Sequence, residues 1–144
     1  MTKQNFYDFA MMMSVDSKLL HNNNKLHNSV YLGVFVLEAY VKILLIDNGA
    51  TTPRGIRDNS YGGHINDNKM IERLETLHPN VFSNSILMSN HDKYPNNILS
   101  DKYDINFRYE VDKWIDAIFC QDIQDEVNNV KIALNELRIQ GVLQ

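Results

Sequence analysis

The chain has 144 residues, 44% of them apolar and 22% charged, with a formal net charge of −4 at neutral pH. That length suits a single domain with a sizeable core, expected over residues 1–144, while the acidic balance excludes a whole-molecule basic field and leaves any phosphate binding to local clusters. The single cysteine, Cys120, excludes an internal disulfide and fits a reducing compartment. The N-terminal MTKQNFYDFAMMM has an aspartate within its apolar part and no clear cleavage site, so it does not read as a signal peptide, and the expected location is the cytoplasm.

Helix signals dominate and clean strand alternation is absent. The first predicted helix begins after Thr2, a good N-cap residue, and turns Phe6, Phe9, Met13 and Leu20 toward the core. His21–Lys25 reads as a polar turn. The second helix runs from about Leu26 to Asp47, with Asn48-Gly49 as a left-handed C-cap. It contains the run Val30–Ile46, whose only charges are Glu38 and Lys42, four residues apart. On a helix that spacing places them on one face with the acid nearer the N-terminus, the favourable order for a pair. A membrane span needs about 20 apolar residues and tolerates central charges poorly. No membrane partner is therefore expected, and a helix apolar on nearly every side reads as the central helix of a bundle. The pair is open to two readings: a semi-buried bridge that fixes register, or one charge facing a groove where a phosphate or backbone group binds.

The polar loop between residues 51 and 64 carries Arg54, Arg57, Tyr61 and His64. Paired arginines in a glycine-bearing loop ahead of a helix can hold a phosphate; equally they can decorate a solvated connector. His64 follows Gly63 at the start of the next helix, where its ring can cap backbone. That third helix is predicted from Asn66 to Leu77, with Pro79 beyond its end. Val81–Met88 reads as a short helix and His91–Phe107 as a long ordered loop. In Tyr109–Phe119, the positions of Val111, Trp114, Ile115 and Ile118 favour helix. The final helix, Gln121–Gln140, places Ile123, Val127, Val130, Leu134 and Leu137 at helical spacing and ends at Gly141. Its Asp122, Asp125, Glu126, Glu136, Lys131 and Arg138 read as a solvated face. The fold class is all-α, an up-and-down bundle of four to five helices.

No metal pattern is present: His21, His27 and His91-Asp92 do not repeat the close helical spacing of zinc enzymes. No glycine-rich phosphate loop or dinucleotide fingerprint occurs, so no cofactor is expected. Cys120 reads as a core filler. Two arginine–histidine spacings exist, Arg57 to His64 and Arg73 to His78. On a regular helix the side chains of the second diverge by roughly 140°.

The segment HNSVYLGVFVLEAYVKILLI resembles the second helix of the HEPN family (higher eukaryotes and prokaryotes nucleotide-binding), where a small-residue apolar stretch leads into an E-x-x-x-K pair, here Glu38 and Lys42 after Gly33. Family members often follow with a loop ending in a histidine that opens the next helix, matched imperfectly by His64-Ile65-Asn66, and later with an Arg-Tyr, matched by Arg108-Tyr109. The landmarks span roughly Asn28 to Leu137; each is short, and their order carries the resemblance. It implies an up-and-down helical bundle that commonly forms a homodimer. Many members are ribonucleases with a C-terminal R-x4-6-H motif, often toxins of toxin–antitoxin or defence systems. Others lack the motif and bind nucleotides or RNA, or partner a nucleotidyltransferase. Here no histidine follows Arg108, and Arg73–His78 lies early, with Leu74 and Asn80 in place of the family's usual Asn and Tyr.

The expectation is thus a HEPN-like, dimeric domain acting as a non-catalytic nucleotide- or RNA-binding or partner module, with an antitoxin or nucleotidyltransferase as candidate partner. Lys42, His64 and Arg108 would converge on a groove, with Arg54 and Arg57 on the covering loop. One alternative is a metal-independent ribonuclease using His64, or His78 with Arg73, as acid/base and charge-stabilising groups. The other is a purely structural oligomeric protein.

Overall fold

In the computed structural model, which describes residues 2–47, 109–110 and 113–144 apart from the side chain of Leu45, Thr2 sets the start of helix α1 (Lys3–Asn22) by a reciprocal capping box. The Thr2 hydroxyl accepts from the Asn5 amide at 3.1 Å, and Asn5 Oδ1 accepts from the Thr2 amide at 2.9 Å, so two otherwise orphaned donors are satisfied. The helix stops within the asparagine run. Asn24 takes the left-handed conformation (φ 59°), Lys25 N–H donates to the Leu20 carbonyl and Asn24 N–H to that of His21. This is a Schellman closure with asparagine standing where glycine is commoner.

Helix α2 (Leu26–Asp47) has the bounds the sequence predicts, and its consecutive residues Val36–Val41 are all buried, so here it is covered on every side. Helix α3 (Ala117–Ile139) starts at Asp116, whose carboxylate accepts from the Phe119 amide at 2.7 Å. It ends at Gly141 (φ 79°) in a second Schellman closure, with Val142 N–H on the Leu137 carbonyl and Gly141 N–H on that of Arg138. The predicted helical start for Tyr109–Phe119 is corrected at 113–116, which are bends and coil; Asp116 caps the helix, and Ile115 and Ile118 are exposed. Trp114 is nevertheless buried, stacked on His27 at the start of α2 with ring centroids 4.7 Å apart.

Among the described residues there are three α-helices and no strand, in the all-α class expected. Helix α1 runs antiparallel to both neighbours: Phe6, Phe9 and Ser17 meet Lys42, Phe35 and Ser29, while Tyr7, Ser17 and His21 meet Asn135, Gln124 and Gln121. Helices α1 and α3, and α2 as far as Ile43, belong to a compact unit formed by Met1–Ile43 and Asn106–Gln144, and Leu44–Ile105 forms another unit. The predicted helices at Asn66–Leu77 and Val81–Met88, the loop His91–Phe107 and the Asn48-Gly49 cap lie outside the described residues.

The core face of α1 differs from the sequence reading. It buries Phe6, Tyr7, Ala10, Ser14 and Ser17; Phe9 is 36% exposed and Met13 and Leu20 are half-buried. Small residues win that face because the helices approach closely there. A Cβ on Gly33 would sit 3.1 Å from Val127 Cγ2, 3.2 Å from Ile123 Cγ2 and 3.2 Å from Ser17 Oγ. Gly33→Val inserts a branched side chain among these three groups and is expected to destabilise the fold by about 2 kcal/mol or more in urea unfolding. An unchanged midpoint would show that the helices are not packed this tightly.

Candidate functional site

The Glu38–Lys42 pair forms on α2, with Lys42 Nζ 2.5 Å from Glu38 Oε1 and side chains only 14% and 8% exposed respectively. The ammonium also lies 5.7 Å from the centroid of the Phe6 ring on α1, within cation–π range. Both contacts use the same cation, and a charge this enclosed needs them, because little water remains to solvate it. Of the expected ligand set, Lys42 alone is described; Arg54, Arg57, His64 and Arg108, and the alternative nuclease pair Arg73 and His78, lie outside the described residues.

A second polar constellation, which the sequence reading did not assemble, lines a groove of about 290 Å³ between α1 and α3. Helix α1 contributes Lys18 and His21; α3 contributes Gln121, Asp125, Asn128 and Lys131. His21 Nε2 lies 3.2 Å from Gln121 Oε1, and Gln121 Nε2 donates to Asp125 Oδ1 at 3.0 Å, so ring, amide and carboxylate form a chain. That geometry assigns the Nε2 proton to His21, since the amide oxygen can only accept. Gln124, also on the groove wall, donates through Nε2 to Ser17 Oγ (2.7 Å) and Ser29 Oγ (2.9 Å), while Ser17 Oγ donates to the Ser29 carbonyl at 2.7 Å. Among the described residues neither Lys18 nor Lys131 makes an ion pair. The signal for this groove was the recurrence of Gln121, Gln124, Asn128 and Lys131 at intervals of three and four, a polar stripe beside the apolar one.

Glu126 corrects the solvated-face reading of α3: it is only 2% exposed and lies among the buried residues of the helix. Cys120 is buried as expected. Burial first, and the Asp116 carboxylate second, push its thiol from 9.0 up to about 11. Its Sγ lies 3.5 Å from the Trp114 carbonyl, which accepts from the neutral thiol. A thiol held protonated at neutral pH is a poor nucleophile, so Cys120 belongs to the packing. Among the described residues no group of three or more His, Cys, Asp or Glu side chains could hold a metal ion, and no helix is long and apolar enough to cross a membrane.

Among the described residues, the candidate site thus comprises the enclosed Glu38–Lys42 pair and the polar α1–α3 groove on an all-helical scaffold. Comparison of the chain with protein-family models, curated proteins and solved structures finds no match in any of the three.

The charge pair has a direct energetic test. Lys42→Met keeps most of the apolar stem and removes the cation, and should cost about 1–3 kcal/mol; Glu38→Gln with Lys42→Met should recover part of that loss. A double-mutant cycle read by urea unfolding should give a coupling of at least about 1 kcal/mol. Strict additivity would mean that the two charges do not support one another.

Proposed function

We propose that the chain is a HEPN-like helical bundle of four to five helices, acting as a non-catalytic nucleotide- or RNA-binding or partner module, and that it works as a homodimer. The observation that carries this reading is the enclosed Glu38–Lys42 pair, found on a buried helix where the resemblance puts an E-x-x-x-K motif. The antiparallel packing of α1 against both α2 and α3 supports the bundle. An apolar row on the outer face of α1 supports a partner, with Met12, Val15 and Leu19 53%, 58% and 60% exposed at helical spacing. A second copy of the chain, an antitoxin or a nucleotidyltransferase would use such a face.

In this reading Lys42 organises α2 through Glu38 and Phe6, and the phosphate contacts fall to His64, Arg108, Arg54 and Arg57. The absence of a histidine after Arg108 favours binding over cleavage. Purified protein titrated with a labelled RNA oligomer and with ATP should bind at least one of them. Arg108→Ala should weaken that binding about tenfold or more while circular dichroism stays unchanged. Binding unaffected by Arg108→Ala would overturn the ligand assignment. Histidine-dependent RNA cleavage, lost in His64→Ala or His78→Ala, would replace the module by a metal-independent ribonuclease.

A further inference from the structure

We infer that the α1–α3 groove is a binding site for a small phosphomonoester with a hydroxyl-rich carbon skeleton, of the sugar-phosphate class. It contains neither member of the Glu38–Lys42 pair, so it stands or falls independently of RNA binding.

The charge comes first. Lys18 on one wall and Lys131 on the other make no ion pair among the described residues, and the groove's acid, Asp125, is engaged by the Gln121 amide. In a chain of net charge −4, two uncommitted ammonium groups facing one groove are a local reversal of sign. A phosphate monoester carries close to two negative charges at neutral pH and accepts hydrogen bonds on three oxygens, which suits two lysines.

The rest of the lining selects the remainder of the ligand. Asn22, Gln121, Gln124 and Asn128 supply amide groups, and His21 Nδ1 is buried without a hydrogen-bond partner among the described residues. With Nε2–H directed to Gln121, Nδ1 of the neutral ring is an acceptor, which a ligand hydroxyl can satisfy. An unsatisfied buried nitrogen carries a desolvation cost that such a hydroxyl removes. Among the described residues the walls contain no Phe, Tyr or Trp on which a nucleobase could stack, and a volume of about 290 Å³ is at the small end for ligand clefts. Sugar phosphates match that size and polarity; dinucleotides and extended RNA do not.

The test is an NMR titration of the full ¹⁵N-labelled chain with ribose 5-phosphate, with inorganic phosphate and ribose as comparisons. Ribose 5-phosphate should shift the His21, Gln121 and Asn128 signals with a Kd below about 1 mM, phosphate should bind about tenfold more weakly, and ribose should not bind. Lys18→Gln and Lys131→Gln should each weaken binding about tenfold, Lys131→Arg should retain it, and the dispersion of the spectrum should be unchanged in all three. Absence of shifts at about 10 mM ribose 5-phosphate, or wild-type affinity in the doubly substituted protein, would overturn the site. Equal affinity for phosphate and ribose 5-phosphate would overturn the hydroxyl-rich class.

Discussion

The three described helices are held by one point of close approach, where Ser17 of α1, Gly33 of α2, and Ile123 and Val127 of α3 come together. Glycine lets the α2 backbone approach both neighbours, and the gap is closed by methyl groups from one side and a hydroxyl from the other. One turn away, Gln124 ties Ser17 and Ser29 through the same amide nitrogen, and Ser17 caps the Ser29 carbonyl. Each hydrogen bond is worth only about 1 kcal/mol net, but losing one partner exposes the buried remainder to a desolvation penalty of about 1–3 kcal/mol. The junction is thus specific as well as stabilising: polar groups fix which residues meet, and apolar burial supplies the driving force.

The placement of both charged features follows from that junction. Because α1 lies antiparallel to α2 and is anchored at Ser17–Ser29, its opposite end brings Phe6 over Lys42, enclosing the ammonium already paired with Glu38. Because α1 is also antiparallel to α3, Lys18 and His21 come to the wall opposite Gln121–Lys131, and the polar stripes of the two helices open as a groove. At the far end Tyr7 closes the α1–α3 seam by donating to Asn135 Oδ1 at 2.8 Å, with the Arg138 guanidinium 5.7 Å from its ring. The same rigid seam therefore sets the geometry of pair and groove alike.

How far the sequence revealed this depended on the kind of signal. The bounds of α2 were legible because an apolar run that begins after an asparagine turn leaves few other solutions, and Thr2 announced α1 through an N-cap preference that acts locally. The core face of α1 was not legible from residue size. Ala10, Ser14 and Ser17 are buried because close packing favours small side chains, while Met12, Val15 and Leu19 face outward. Glu126 shows the same limit, since its type says solvent and only its register with Ile123 and Val130 says core. At the start of α3, the spacing of Ile115 and Ile118 suggested an earlier helix, and the local Asp116 cap overrode it. The groove needed tertiary knowledge, because neither polar stripe is distinctive until α1 and α3 are set antiparallel.

The junction is tested most directly by native-state hydrogen exchange. If Ser17, Gly33 and Gln124 lock the three helices into one cooperative unit, the amides of Gly33 and Val127 exchange only on global unfolding, with the same free energy as denaturant titration. Gln124→Leu should then lower both values together. Exchange at Gly33 or Val127 with a clearly smaller free energy, unaffected by Gln124→Leu, would show that the helices open separately and that the junction does not hold the fold.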